Sequence, residues 1–283
     1  MTRSRSRRGT WAKVRDYTIL TVLAAIMFAP IYYLLIGSLK PSSEVLAGFR
    51  GFVPANLSLA NYLHVLQTLD SPDTGYLWRF VLNSFLISFV VVGGGLVVNS
   101  MAGYAFARLQ WAGRDKYFII VMLLIIVPFE SVAIPLMQLL SGWRDTLIVQ
   151  MIPFIASAFS IYLFYTFFLT FPKSIEEAAR VDGLSAFGVF ARIVVPNSKP
   201  VFATVAILTF LGSWGQFLWP LLVTSNPAVR PLPLEIGFFS AQQPVDWGQV
   251  FAFGTLLVLP VVLVFLIFQR QFVQSVAGAA VKG

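Results

Sequence analysis

Three carboxylates lie within seven residues of one another near the middle of the chain, at Glu176, Glu177 and Asp182. They belong to a polar segment, residues 172–200, that apolar stretches flank on both sides. A cluster of acids could supply general acid–base catalysis, but acids in the first turn of a helix also stabilise the helix dipole. Helix capping accounts for most of this cluster. A membrane-embedded enzyme is the alternative, but catalysis is not needed to explain why these acids are there.

The chain offers few other groups for catalysis or metal binding. It has no cysteine and one histidine, His64, which excludes disulfides, zinc–thiolate sites, iron–sulfur clusters and a histidine relay. The sequence contains no GxxxxGK[ST] phosphate-binding loop and no GxSxG or HExxH motif. We therefore expect a chain that is not an enzyme, that binds no metal or cofactor, and that does not hydrolyse nucleotide itself.

The composition predicts an all-α integral membrane protein. The chain is 58% hydrophobic and 11% charged, whereas soluble domains carry about 25% charged residues. A membrane-spanning helix needs about 20 mostly apolar residues, and six stretches meet that length. The predicted spans are approximately 17–36, 80–106, 117–139, 147–169, 201–223 and 250–268.

The basic residues predict the orientation of these spans. With the N-terminus inside, fifteen of the twenty Lys and Arg residues fall on the cytoplasmic side, as the positive-inside rule requires. Both termini and the polar segment are then cytoplasmic, and residues 37–79 and 224–249 form long external loops. Residues 1–16 form a basic cytoplasmic segment, because the apolar run that follows is too long for a signal peptide. The net charge of +8 therefore reflects topology and not nucleic-acid binding.

The polar segment carries start and stop signals for two short helices. Ser174 lies three residues before Glu177, which predicts a capping box, and a helix should run to about Asp182. Gly183 is placed for a left-handed C-terminal cap, and Ser185 can cap a second helix.

An apolar stripe recurs every three residues along the second helix, at Leu184, Phe187, Phe190 and Ile193. Pro196 and Pro200 are expected to end the helix and lead into the fifth span. This helix–glycine–helix element suits insertion into a groove of a soluble partner. An amphipathic loop lying on the bilayer surface is the alternative.

The segment EEAARVDG, followed nine residues later by IVVP, resembles the EAA loop of ABC importer permeases. The family pattern is EAA, three residues, Gly, nine residues and I-x-L-P. Six residues match in register and Val195 replaces the usual Leu; the matches are Glu177, Ala178, Ala179, Gly183, Ile193 and Pro196.

The resemblance covers nearly the whole chain and is closest to the carbohydrate subgroup, similar to the second permease subunit of maltose-type systems. Short matches follow in the right order along the chain: NSFLIS (83–88), AGYAFARLQWAGRDK (102–116), VPFESVAIPLMQLL (127–140), FLGSWGQFLWPLL (210–222) and AGAAVKG (277–283).

The resemblance implies an importer permease fold of six transmembrane helices in a bacterial cytoplasmic membrane. It implies two ATPase subunits, which bind ATP and Mg, a second and different permease, and an extracytoplasmic solute-binding protein. The coupling loop, residues 170–200, would sit in a cleft of the ATPase, so that ATP-driven closure switches the spans between inward- and outward-facing states. Its coupling residues would be Glu176, Glu177, Ala178, Ala179, Asp182, Gly183, Leu184, Phe187, Phe190, Ile193 and Pro196. An ion-coupled secondary transporter is the alternative function.

Polar residues inside the spans are candidates for the translocation path, because such residues usually face a cavity or a neighbouring helix. Trp214 and Trp219 could stack on sugar rings. For every candidate, a helix–helix hydrogen bond or an interface anchor is the alternative role. The candidates are Glu130, Asn83, Gln138, Trp214 and Gln216, with Asn99 and Trp219 beside them. Sugars, sugar alcohols and glycerol phosphate all remain open as substrates.

Overall fold

The structure is a computed structural model that describes the backbone of residues 10–280 and the side chains of residues 11–268. Several predicted features lie outside this part of the chain: the basic start up to residue 9, the side chains of Arg270 and Lys282, and the side chains of the AGAAVKG ending. The remainder is mostly helical, which confirms the all-α prediction. The described part contains one hairpin, in which β1 (Asp70–Ser71) pairs antiparallel with β2 (Gly75–Tyr76).

The helices of the described residues follow one another with short connections. In chain order they are α1 Thr10–Ser38, α2 Ser42–Val45, α3 Ala60–Thr68, α4 Leu77–Arg108, α5 Arg114–Leu124, α6 Phe129–Leu139, α7 Leu147–Ile155, α8 Ala158–Leu169, α9 Lys173–Val181, α10 Ala186–Val189, α11 Val195–Asn197, α12 Lys199–Trp214, α13 Leu218–Val223, α14 Ile236–Ser240 and α15 Trp247–Ala280. Short 3₁₀ turns cover Gly48–Phe52, Ser141–Trp143, Pro227–Val229 and Leu232–Glu235, and a π turn covers Phe190–Val194.

The chain divides into two compact units. The first comprises residues up to Thr68 together with Ile236–Leu256, and the second comprises Leu69–Glu235 together with the residues from Leu257 onward.

In the first unit, the loop after α1 is an ordered structure and not a plain connector. The Tyr33 hydroxyl donates to the Val45 carbonyl over 2.6 Å. The buried Asn61 amide donates to the carbonyls of Ser38 and Lys40 over 2.9 and 2.8 Å. The Tyr33 bond satisfies the last carbonyl of α2, and the Asn61 bonds satisfy carbonyls at and just beyond the end of α1, where a helix leaves its last carbonyls without internal partners.

The second unit is built on α4, which runs without a break for 32 residues and packs against α7, α8 and α12. The stretch predicted as a span at 80–106 lies within this continuous helix, which extends a few residues beyond it at each end. Gly93, Gly94 and Gly95 do not break the helix, and Gly94 and Gly95 permit a close contact with Ile155. A Cβ atom on Gly95 would lie 3.3 Å from the Ile155 carbonyl oxygen.

Four helical stretches are long and apolar enough to cross a membrane: α1, α4, α7 with α8, and α15. The count over the described residues reaches the predicted six if each of two bent pairs forms one span. The stretch predicted as a span at 117–139 is not one continuous helix, because α5 and α6 meet at an angle of 101°. Pro128 explains the break: a proline disfavours helical torsions in the preceding residue, and Pro128 itself is extended with ψ of 138°.

The predicted span at 201–223 is also interrupted. α12 ends at Trp214 and α13 begins at Leu218, so residues 215–217 separate two helices. A second bend, of 80°, lies between the Ala186–Asn197 region and α12. The span at 147–169 is divided at Ala156–Ser157, where the Ser157 hydroxyl caps α8 by accepting from the Ser160 amide.

Candidate functional site

The first helix of the polar segment, α9, begins two residues earlier than the predicted cap at Ser174 implies. Pro172 is the residue preceding the helix, with φ of −62° and ψ of 121°, and it has no side chain that can accept a hydrogen bond. Ser174 therefore lies inside the first turn. A capping residue needs non-helical torsions, so the predicted capping box between Ser174 and Glu177 is wrong.

The end of α9 follows the prediction. The helix ends at Val181, and Asp182 is its C-cap residue. The next residue, Gly183, adopts a φ of +87°. The amide of Gly183 donates to the Arg180 carbonyl, and the amide of Leu184 donates to the Ala179 carbonyl. This pair of bonds is a Schellman motif, and its left-handed position is disfavoured for residues with a Cβ atom.

The second helix of the segment is divided into pieces. The Ser185 hydroxyl accepts from the Gly188 amide over 3.2 Å, which confirms the predicted cap. α10 then passes through the π turn at Phe190–Val194 into α11. The segment ends at Asn197, between the two prolines that were expected to stop it, although Pro196 itself lies in the first turn of α11, where its missing N–H costs little.

The apolar stripe does not form a single outward-facing surface. Phe190 is buried, with its ring 5.1 Å from the ring of Tyr104, and it belongs to the core of the second unit. Leu184 and Ile193 are half-buried against the same core, whereas Phe187 is 64% exposed. The expectation that Phe190 fills a partner's cleft is therefore wrong: amphipathic spacing shows that a helix has an apolar face but not what covers it.

A buried ion pair joins α9 to the end of α4. Nε of Arg108 lies 3.0 Å from Oε1 of Glu176, although its N–H does not point at that oxygen as a hydrogen bond requires. The two side chains are 5% and 7% exposed. The Tyr104 hydroxyl donates to Oε2 of Glu176 over 3.2 Å, and Nη2 of Arg108 donates to the Phe171 carbonyl.

Arg108 is a site residue that the sequence patterns did not single out, and the predicted capping box assigned the role of fixing α9 to Glu177. The structure gives that role to Glu176, while Glu177 is exposed. One signal was available: Tyr104 and Arg108 are four residues apart at the end of a span, which places them on one helix face.

The surface that the polar segment leaves uncovered is a mixture of charged and apolar groups. Glu177, Ala178 and Asp182 are exposed, and Val181 is 87% exposed. Ala179 is buried within the segment's own packing. Exposed apolar side chains beside acids, here Val181 and Phe187, are typical of a surface that a protein partner covers.

Two asparagines proposed for the translocation path have structural roles instead. Asn83 is buried, and its amide donates to the carbonyls of Ala228 and Arg230 over 3.0 and 2.9 Å. Asn99 donates to the Ile155 carbonyl and accepts from the Ser157 amide. It thereby satisfies one carbonyl and one amide at the break between α7 and α8, where intrahelical partners are missing.

Neither proposed tryptophan is free to stack on a ligand. Trp214 is 3% exposed and its Nε1 donates to the Leu257 carbonyl over 3.0 Å. Trp219 is fully buried and its Nε1 donates to the Val149 carbonyl over 2.8 Å. For both residues the anchoring role replaces the predicted contact with a sugar.

The remaining path candidates are accessible. Glu130 is exposed in the first turn of α6, and Gln138 is exposed near the end of the same helix. Gln216 lines a cleft of about 370 Å³ in the second unit. The residues lining this cleft are Val91, Phe129, Pro153, Phe154, Ala156, Ser157, Phe159, Ser160, Leu208, Thr209, Gly212, Ser213 and Gln216.

Known proteins match this chain over nearly its full length. Residues 95–278 match the family model described as "binding-protein-dependent transport system inner membrane component". The arabinooligosaccharides transport system permease protein AraQ of Halalkalibacterium halodurans is 31% identical over 265 residues, covering 92% of this chain and 93% of AraQ. The lactose transport system permease protein LacG of Rhizobium radiobacter is 31% identical over 266 residues, covering 93% and 94%.

A relative with a differently named cargo and one solved structure also match. The sn-glycerol-3-phosphate transport system permease protein UgpE of Escherichia coli (strain UTI89 / UPEC) is 27% identical over 273 residues, covering 95% and 97%. The crystal structure of a bacterial ABC transporter involved in the import of the acidic polysaccharide alginate contains a chain that superposes with a TM-score of 0.78. That match has 21% identity and covers 95% of this chain and 99% of the other, so it supports the fold.

Proposed function

This chain belongs to the family of binding-protein-dependent transport system inner membrane components, and from this premise we propose that its cargo is a sugar or a related polyol. The match over residues 95–278 carries the assignment to a transport permease. The cargo rests on the names of AraQ and LacG, whose transport systems are named for arabinooligosaccharides and lactose. An ion-coupled secondary transporter is not favoured, because the matched family is binding-protein-dependent.

The polar segment, residues 172–200, is in this proposal the contact with an ATPase subunit. The support is its uncovered surface, where Glu177 and Ala178 of the EAA pattern are exposed together with Val181 and Phe187. The buried Arg108–Glu176 pair fixes the segment to α4, so a force applied by the ATPase acts on a span and not on a loose loop. ATP and Mg would bind to the ATPase, and this chain would bind neither.

The complete importer would contain two ATPase subunits, a second permease of different sequence and an extracytoplasmic binding protein in a bacterial cytoplasmic membrane. Copurification tests this assembly: the tagged chain is extracted from native membranes in mild detergent, and its partners are identified by mass spectrometry. We expect an ATPase and a second permease. A chain that purifies alone, even after cross-linking at the polar segment, would contradict the proposal.

A pair of charge reversals tests the contact itself. Glu177→Lys should abolish ATP-dependent uptake while the protein still inserts, because it reverses charge on the exposed contact surface. Asp115→Lys is the matched control, since Asp115 is also an exposed acid but lies on α5. Equal uptake by the two variants would refute the assignment of this surface to the ATPase.

A further inference from the structure

A short turn of the first unit, just after α1 and α2, carries apolar side chains that nothing in the described chain covers. We call residues 45–53 the aromatic turn. Its exposed apolar side chains are Leu46, Phe49, Phe52 and Val53, and Phe49 is 84% exposed. Arg50 is the one charged residue of the turn. Neighbouring apolar groups that are left exposed mark a surface that a protein or a membrane covers.

The aromatic turn folds back along the last turns of α1. The Tyr33 hydroxyl donates to the Val45 carbonyl over 2.6 Å, and the Tyr32 hydroxyl donates to the Phe52 carbonyl over 3.1 Å. The rings of Tyr33 and Phe52 stack with their centroids 4.6 Å apart. A Cβ atom on Gly51 would lie 2.9 Å from the Tyr33 ring, so glycine allows the backbone of the turn to rest on that ring.

These contacts set the depth of the turn relative to the membrane. α1 is long and apolar enough to span, and its apolar run ends near Ile36. Tyr33 and Tyr32 lie three and four residues before Ile36, which at 1.5 Å per residue is about 5–6 Å. Tyrosine is also enriched where a span meets the membrane surface. A turn bonded to these two hydroxyls therefore lies level with the end of the apolar run and not out in water.

The backbone of the turn suits surroundings that contain little water. Besides the two carbonyls that the tyrosines satisfy, the Arg50 carbonyl accepts from Nζ of Lys40 over 2.6 Å, and Lys40 is 1% exposed. Three carbonyls of a nine-residue turn thus receive side-chain donors from the end of α1 and the residue pair that follows it. Irregular backbone at membrane depth needs such internal partners, because lipid tails supply none.

The charge of Arg50 distinguishes a lipid surface from an apolar protein surface. The Arg50 side chain is exposed, and no carboxylate of the described residues lies within ion-pair distance of it. An apolar protein surface laid over the turn would leave this charge desolvated and unpaired, which is costly. At the edge of a bilayer, a long arginine side chain extends to the phosphate layer while its neighbours remain among the acyl chains.

We propose that the aromatic turn is a lipid-binding anchor. Phe49, with Leu46 and Val53, inserts at the boundary between the headgroups and the acyl chains, and Arg50 binds a lipid phosphate. Interfacial segments of this kind bury their apolar side chains about 5–10 Å below the headgroup surface. The anchor holds the C-terminal end of α1 at a fixed depth. This inference requires that α1 crosses the membrane, and it does not depend on the cargo.

The chain contains no cysteine, so a single fluorophore can report the depth of the turn. Phe49→Cys is labelled with bimane in the copurified importer, which is reconstituted in nanodiscs whose lipids carry a nitroxide quencher near the headgroup. Asp73→Cys is the matched control, because Asp73 is an exposed acid of the same predicted external loop. The importer with the unmodified chain gives the labelling background. We expect the nitroxide to quench the Phe49→Cys label about threefold more strongly than the Asp73→Cys label, and iodide in the buffer to show the reverse order.

A second measurement tests the contact between Arg50 and a phosphate. The melting temperature of the importer's permease chain is compared in nanodiscs of phosphatidylcholine with and without phosphatidylglycerol. The anionic lipid should raise the melting temperature of the wild type. Arg50→Gln should lose most of this rise, whereas Arg50→Lys should keep most of it, because an ammonium group also binds a phosphate as a point charge. Inorganic phosphate added to neutral nanodiscs should not replace the anionic lipid.

Three results would overturn the proposal. Equal quenching of the two labels by the lipid nitroxide would mean that the turn lies in water. A Phe49→Cys label that neither the nitroxide nor iodide reaches in the importer would mean that a protein subunit covers the turn. A rise in melting temperature that Arg50→Gln retains in full would refute the contact with a lipid phosphate.

Discussion

The Arg108–Glu176 ion pair gives a prediction whose size follows from burial. Replacing Glu176 by Gln keeps the volume of the side chain but leaves the Arg108 guanidinium without a countercharge in a site where the two side chains are 5% and 7% exposed. Removing one partner from a buried ion pair costs about 3–5 kcal/mol, because the other charge remains desolvated. The cost falls on the docking of α9 against α4, since the pair joins these two helices.

Limited trypsinolysis of the chain in lipid nanodiscs measures this docking, because Lys173 and Arg180 are exposed residues of α9. Cleavage inside a helix requires local opening, and its rate follows the population of the open form when reclosing is fast. A loss of about 3 kcal/mol corresponds to about a 100-fold larger open population, since each 1.4 kcal/mol is tenfold. We therefore expect Glu176→Gln to be cleaved in α9 about 100 times faster than the wild type.

Two further variants separate the charge from the contact. The double variant Arg108→Met, Glu176→Leu removes both charges and should recover most of the protection, because apolar replacement of a buried pair is often close to neutral. Asp115→Asn breaks an exposed pair with Arg114 and should change little. Cleavage of Glu176→Gln within threefold of the wild type, or a double variant cleaved as fast as the single one, would refute the reasoning.

Three further predictions concern a turn, a helix break and an external loop. Gly183→Val should destabilise the polar segment by about 1–2 kcal/mol and impair uptake, because φ is +87°, whereas Gly183→Asn should be milder; faster trypsinolysis and lower uptake for valine than for asparagine would support this. Asn99→Leu should lower the thermal stability in nanodiscs by about 1–3 kcal/mol, since the Ile155 carbonyl and the Ser157 amide lose their partner; an unchanged melting temperature would contradict it. The backbone amides of Asn226 and Ser225 donate to Asp145 and lower the pKa of its carboxyl below the ordinary 3.8. The ionised carboxylate therefore stabilises the folded chain above that pH, and this stabilisation is lost as the pH falls through the lower pKa of the folded state. Asp145→Asn should remove this loss of stability on the acid side in a pH series of melting curves.

The class of the fold could be predicted from the sequence because composition and span length are strong signals. The existence of six apolar stretches, the left-handed turn at Gly183 and the cap at Ser185 all follow from local chemistry that one chain segment supplies by itself. The breaks were harder to predict. Pro128 interrupts a continuous apolar run, and hydropathy alone does not distinguish a straight span from two helices that meet at 101°.

The contacts of the candidate site depended on tertiary packing, which sequence spacing does not report. Glu176 and Glu177 are neighbours of the same type, yet one is buried against Arg108 and the other is exposed. Phe187 and Phe190 likewise belong to one stripe but have opposite environments. In both pairs, the residue on the helix face that packs against the core is buried and its neighbour is exposed. Which face packs against the core depends on residues of α4, Tyr104 and Arg108, that are distant in the chain.

The uninterrupted length of α4 has a mechanical consequence. At 1.5 Å per residue its 32 residues span about 48 Å, and a tilt of about 5° around one end displaces the other end by about 4 Å. Backbone contact at Gly103, where a Cβ atom would lie 2.6 Å from Cβ of Phe164, leaves little room for α8 to slide past it. A tilt of about 5° around the end of α4 that Arg108 fixes to α9 would therefore appear at the far end of the span as a movement of about 4 Å, wider than a water molecule.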